Sequence, residues 1–181
     1  VIGSGTVLDT GRLKQLLGEE LRVDSRNIHA FIIGEHGDSE LAVWSEANVS
    51  GLALEDFCRI RGQALSRADM DRLYRQVRDS AYEIIRRKGV TCYGIAMGVG
   101  RIAASIIRDE HAVLPISVVL DGQYGLDGLA LSIPSIVGRD GLEDILEIPL
   151  SGKEESALRN SARQMHAVIS TLKLSREPAY S

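Results

Sequence analysis

A histidine set between two glycines at the end of an apolar run is a place where proton chemistry can happen. GEHGD, Gly34 to Asp38, closes the run NIHAFIIG. The glycines let the backbone bend, so a side chain at the strand end can project into a cleft. An imidazole there can titrate near neutral pH and pass a proton, as His36 would. The plainer alternative is a loop histidine bathed in water. Upstream, Asp9 and Arg12 are spaced i, i+3, which puts both on one helix face at its first turn. A cation is out of place there, because the helix dipole disfavours positive charge near an N-terminus. An incoming anion explains it, since the guanidinium fork matches a carboxylate with two hydrogen bonds. An aspartate beside a histidine favours imidazolium and fixes its tautomer. Asp9, Arg12 and His36 are thus a candidate set that anchors a carboxylate and moves a proton next to it. Asp9 as a simple helix cap with Arg12 in a surface ion pair is the competing reading, and spacing alone leaves the two level.

Other chemistry finds less support. Gly3-Ser4-Gly5, with Asp24 downstream, imitates part of a dinucleotide-binding fingerprint. Only Val1 and Ile2 precede it, too few for a buried strand, and Leu8 stands where the third glycine should be. Asp24 lies in the turn-like VDSRN. A connection leading into a helix is the better reading. His29, His36, His111 and His166 follow no HxH or HxxxH pattern, so no metal site is expected. Ser4 and Ser39 lack the G-x-S-x-G frame of serine hydrolases. The run Arg86, Arg87, Lys88 reads as a helix C-terminal charge cluster.

The elements that must position these residues are legible as patterns. Leu13, Leu16, Leu17 and Leu21 make one helical stripe, predicting a helix that begins near Asp9 or Thr10 and is weakened at Gly18. NIHAFIIG and ELAVW read as strands, and NVSGLAL and the surroundings of Phe57 as loop or mixed. A long helix is expected from Asp69 to Lys88, and a second from Thr91 or Tyr93 to Ile107. Gly94, Gly98 and Gly100 inside the second predict close approach of another backbone. HAVLPISVVL is a strand that Pro115 confines to an edge; a hairpin with LALSIPSIV follows, then a short strand EDILEIPL. Ser151 to Ser175 is an amphipathic closing helix. The fold class is α+β, antiparallel strands packed with long helices.

With 181 residues the chain is one domain by length, able to bury a core without disulfides. A net charge of -4 argues against nonspecific nucleic-acid binding and a polybasic membrane contact. Cys58 and Cys92 form no CxxC, which points to a reducing compartment. No apolar run reaches transmembrane length and no signal peptide is visible. The chain starts on Val1 without an initiator Met, so a piece of a longer protein is expected.

SGTVLDTGRLK, IIGEHGDSE and KGVTCYGIAMGVGRI resemble the carboxyl-terminal half of the lactate/malate dehydrogenase family, on its L-lactate side, and the likeness spans essentially residues 1–181. The resemblance implies a substrate-binding and catalytic domain, with the family's Rossmann NAD-binding domain preceding Val1 and absent here. It implies that His36 donates and accepts the proton, that Asp9 is its carboxylate partner and that Arg12 grips the substrate carboxylate. Thr91 would line the pocket beside the substrate side chain, and Ile95 would pack against nicotinamide. The reaction implied is pyruvate to L-lactate with NADH, in a cytoplasmic homotetramer. Bacterial relatives are often activated by fructose 1,6-bisphosphate through an arginine and a histidine; His29 matches the histidine, whereas Lys14 replaces the arginine and loses its bidentate fork. Weak or absent activation is therefore expected, with His29 as a partly buried strand residue the alternative. A malate or other 2-hydroxyacid dehydrogenase domain remains the enzymatic rival, because the family's main specificity loop lies in the other half. As the isolated chain, a catalytically silent oligomerisation module is the remaining alternative.

Overall fold

A computed structural model describes residues 1–172. Helix α1 (Val7–Leu21) starts earlier than its leucine stripe suggests: Thr6 is its N-cap, and Asp9 lies inside the first turn. Asp9 is therefore not a cap, which removes the simpler of the two readings of that residue. Leu13, Leu17 and Leu21 are buried as expected. After a short turn, β1 (Ile28–Ile33), β2 (Leu41–Val49) and β3 (Leu52–Ala53) form an antiparallel sheet in that order. Ser50 and Gly51 both carry positive φ, 51° and 85°. That two-residue reversal suits the twist of paired strands. NVSGLAL is thus a hairpin and not a loop, and α2 (Leu54–Ile60) follows at once, burying Leu54 and Cys58. The Ser-Gly pair was the available signal.

Helix α3 (Arg67–Lys88) begins two residues before the expected Asp69, because Ser66 and Asp69 cap each other's backbone N–H groups. Helix α4 (Tyr93–Arg108) carries the three glycines. Gly98 sits where a Cβ would lie 4.0 Å from the backbone N of Leu8, and one on Gly94 would come within 3.1 Å of the Leu8 side chain. These two let α4 close on α1; Gly100 faces open space.

The second antiparallel sheet runs β4 (Ala112–Asp121), β5 (Asp127–Gly138), β6 (Gly141–Ile145). β6 begins two residues before the expected EDILEIPL and ends before its last five, which leave the ladder. β4 is an edge strand, as Pro115 requires, and the free edge is used: the Pro115 carbonyl accepts from the Thr6 N–H, and Gly3 exchanges two backbone hydrogen bonds with Ser117. Helix α5 (Gly152–Thr171) is capped by Ser151 and Glu154; the expected continuation to Ser175 lies outside the described residues. Successive side chains of β1 point to opposite faces. Ile28, Ala30 and Ile32 join the α1 leucines with Leu73 and Val77 in one core, while Ile33 joins Ile116, Leu131, Ile133 and Leu158 in another. The expected α+β class is the observed one, and no helix among the described residues is long and apolar enough to cross a membrane.

The Gly3-Ser4-Gly5 stretch has a packing role. Gly5 adopts φ +50°, and a Cβ there would lie 2.7 Å from the Ser117 N and 2.8 Å from the Pro115 carbonyl oxygen. Gly5→Ala is therefore expected to destabilise the fold by about 1–3 kcal/mol. Denaturant unfolding measures this, and an unchanged midpoint contradicts the packing role.

Candidate active site

The site is assembled where α1, the end of β1 and the loop after it meet. Two threonines of the α1 entrance are tied to β1: Thr6 Oγ1 donates to the Ile32 carbonyl at 2.5 Å, and Thr10 Oγ1 accepts from the Ile32 N–H at 2.9 Å. Both threonines are buried. They register the first turn of α1, hence Asp9, against the end of β1. The strand leaves the sheet at Gly34, whose φ of +93° turns the chain. A Cβ at Gly34 would sit 2.9 Å from Ser161 Oγ of α5. That same Oγ accepts from the Glu35 N–H at 2.8 Å, and Ser39 bonds both it and the Glu35 carboxylate. From the other side, Tyr82 of α3 donates to Asp38 at 3.0 Å. The loop bearing His36 is held at both ends.

Asp9 is 3% exposed and faces an imidazole and a guanidinium. His36 Nδ1 lies 2.7 Å from Asp9 Oδ2, and Arg12 Nη1 lies 3.2 Å from Oδ1. The expected trio therefore converges. Hydrogen bonding to Asp9 raises the His36 pKa above its ordinary value, against burial and the nearby Arg12, which oppose it. With Nδ1 committed to the carboxylate, Nε2 is the ring nitrogen left to exchange a proton with a bound molecule.

Arg12, His36, Lys88, Thr91, Cys92 and Ile95 line one cavity of about 570 Å³, whose remaining walls include Leu8, Ile84 and Val90. Four of the residues singled out in the sequence thus share a cavity, with Asp9 buried behind it. A larger groove of about 1050 Å³ between α1, α3 and α4 touches Arg12 but not His36. Convergent titratable groups, not size, make the smaller cavity the candidate. A Cβ on Gly94 would lie 3.6 Å from Arg12 Nη2, so the missing side chain leaves room for the guanidinium. Lys14 and His29 stand outside the cavity. Burial lowers the Lys14 pKa, and His29 is exposed on the outer face of β1, not partly buried.

Sequence reasoning missed three contributors. Ser161 is distant in the chain, and a serine inside a helix carries no signal. Lys88, read as a helix-end charge, turns out to line the cavity. Glu40 belongs to GEHGDSE, but in the sequence it reads as the polar start of the strand ELAVW. It is 5% exposed, its titratable atom lies within 4.8 Å of those of Asp9 and His36, and its buried Oε1 has no hydrogen-bond partner among the described residues.

Fold and site together define a class. Residues 6–174 match the family described as lactate/malate dehydrogenase, alpha/beta C-terminal domain, and the chain belongs to that family. An L-lactate dehydrogenase of Moorella thermoacetica is 51% identical over 175 residues, which are 96% of this chain and 55% of that protein. One from Acetivibrio thermocellus is 47% identical over 172 residues, 95% of this chain and 54% of its own length. Among solved structures, a lactate dehydrogenase enzyme from a Medee basin deep-sea metagenome library superposes with a TM-score of 0.90 at 43% identity, covering 94% of this chain and 54% of that one. The chain spans about half the length of the curated relatives it matches.

The Asp9 contact sets a pH dependence. A histidine whose folded pKa is raised stabilises the fold fully below its unfolded value, near 6.5, and loses that contribution as pH rises through the folded pKa. In Asp9→Asn the His36 ring is expected to titrate at lower pH by NMR, with less stability retained near neutrality. A midpoint that does not move takes Asp9 out of the arrangement.

Proposed function

We propose that this chain is the substrate-binding and catalytic half of an NAD-dependent L-lactate dehydrogenase, interconverting pyruvate and L-lactate. The observation that carries the reading is the meeting of Arg12, His36 and buried Asp9 at one end of a shared cavity. Arg12 takes the keto-acid carboxylate with its guanidinium fork, and its contribution is orientation. His36, as imidazolium, donates its Nε2 proton to the keto oxygen; in the reverse direction the neutral imidazole takes the proton from the hydroxyl. Such general acid–base help is typically worth ~10²–10⁴-fold. Asp9 holds the ring orientation and favours its charged form. Thr91 lines the wall beside the substrate methyl group.

The cavity fits one end of a nicotinamide cofactor. Ile84, Val90 and Ile95 give it an apolar wall next to His36, suited to a flat ring. Among the described residues Gly3 and Gly5 pack against β4, so they do not cradle a pyrophosphate. Ile95 would hold the nicotinamide end, with the remainder on a Rossmann half outside this chain. The cofactor supplies the hydride that the keto carbon receives. The names of the relatives support pyruvate over oxaloacetate as the keto acid. Thiols at Cys58 and Cys92 agree with a reducing cytoplasm. The groove between α1, α3 and α4, with exposed Met97 at its edge, supports homo-oligomer formation, a tetramer by the resemblance.

Two measurements on the protein in which this chain is joined to its cofactor-binding half test the reading. Arg12→Lys is expected to lower kcat/KM for pyruvate ~10- to 100-fold, the equivalent of one or two charged hydrogen bonds. Unchanged pyruvate kinetics, or a preference for oxaloacetate, would sink the assignment. Fructose 1,6-bisphosphate is expected to activate weakly or not at all, because Lys14 offers a phosphate a point charge and no fork. Strong activation that His29→Ala abolishes would reverse that conclusion.

A further inference from the structure

The proton-transfer site contains a carboxyl group that the mechanism above does not use. Glu40 follows His36 by four residues, and its backbone is fixed from two sides: its N–H donates to the Gly37 carbonyl at 3.2 Å, and Tyr74 of α3 donates to its carbonyl. So held, its side chain is directed into the interior, where its titratable atom sits within 4.8 Å of those of Asp9 and His36. A buried acid kept for structure is normally saturated with donors, as Glu154 is by the Trp44 and Ser45 N–H groups and the Ser45 and Ser151 hydroxyls. Among the described residues, Glu40 Oε1 has no such partner.

We propose that Glu40 is the third titratable member of the His36–Asp9 pair, a positioning residue whose charge state is set by the imidazole and in turn sets it. The inference rests on reading His36 and Asp9 as the proton-transfer pair.

The reason is electrostatic. Two carboxylates this close in a buried place cannot both ionise cheaply. Asp9 has His36 and Arg12 as direct partners, so Asp9 carries the charge and Glu40 keeps its proton. Burial first, then the Asp9 charge, push the Glu40 pKa up to about 8, while His36 and Arg12 on one side and Arg78 of α3 on the other pull it back. Tyr74, itself raised to about 12, stays neutral beside it. The influence runs both ways, because interacting sites titrate as a set. Imidazolium favours the Glu40 carboxylate; once His36 has given its proton away, the Glu40 carboxyl holds its own more firmly. Conversely, an ionised Glu40 at alkaline pH keeps the proton on His36. The acid form of the imidazole thereby persists to higher pH than Asp9 alone would sustain.

The test is an NMR titration of the His36 ring in the protein that joins this chain to its cofactor-binding half, with His36→Asn to assign the signal, alongside Glu40→Gln, which has the shape of the neutral acid. In the unsubstituted chain the ring signal is expected to move in two steps, the upper where Glu40 ionises. In Glu40→Gln it is expected to move in one step with a lower midpoint. Thermal unfolding gives a second reading. An acid with a raised folded pKa stabilises fully below its unfolded value, near 4.5, and that contribution is lost as pH rises to about 8. The Tm of Glu40→Gln relative to the unsubstituted chain is therefore expected to be higher at pH 9 than at pH 5. A single-step curve in the unsubstituted chain overturns the proposal even if the variant does not fold, and so does a titration that Glu40→Gln leaves superimposable. A two-step curve in the joined protein, together with failure of that same protein to reduce pyruvate, refutes the dehydrogenase reading and supports the linkage.

Discussion

The contact between the buried Asp9 carboxylate and the His36 imidazole governs how the rest of this domain is arranged. A carboxylate that is almost wholly out of water needs compensation, because an unpaired buried charge is among the most destabilising features a fold can carry. Asp9 receives it from one ring nitrogen and one guanidinium. Those partners come from different places, Arg12 from the next turn of the same helix and His36 from a loop beyond a strand. The helix and the strand must therefore be registered to within a hydrogen-bond length. Thr6 and Thr10 supply that registration by bonding both backbone groups of Ile32.

The same requirement explains features that otherwise look unrelated. Gly34 has to turn with positive φ and has to lack a Cβ, since Ser161 occupies the space and bonds the next residue's N–H. Helix α5, last in the described chain, is in this way part of the loop's support. Glu154 at its start bonds β2, so the helix is anchored to the sheet whose first strand carries the loop. Gly94 and Gly98 allow α4 to lie close against α1, which brings the Thr91–Ile95 segment to the same cavity as Arg12. Packing of small residues thus sets the width of the cavity, and the charged residues set its polarity.

On the proposed reading, a site of this construction would separate anchoring from proton transfer. Arg12 borders the cavity while sharing the Asp9 carboxylate with His36, so a keto acid held by the guanidinium would sit beside the imidazole. Glu40 adds a reserve carboxyl behind the pair at the place where a second negative charge is least welcome. Its burial near Asp9 is the cause of its raised pKa, and the same burial keeps it off the cavity wall.

Much of this was legible in residue order. The leucine stripe of α1, the apolar run of β1, the edge position imposed by Pro115 and the capping of α5 are local patterns, and each appears where its composition, period or turn chemistry required. Asp9, Arg12 and His36 were legible as residues with chemistry, because a histidine between glycines is an unusual choice and the leucine stripe sets Arg12 in a first turn; the start of α1 at Val7 moves Arg12 to the second turn, where the helix dipole opposes it less. Their shared contact was not, since no spacing relates position 9 to position 36. The role of Ser161, the cavity wall at Lys88 and the buried state of Glu40 were decided by tertiary structure alone. Burial of a charge depends on what other segments pack over it, and a glutamate at the start of a strand reads as polar surface until α1 and α3 close above it.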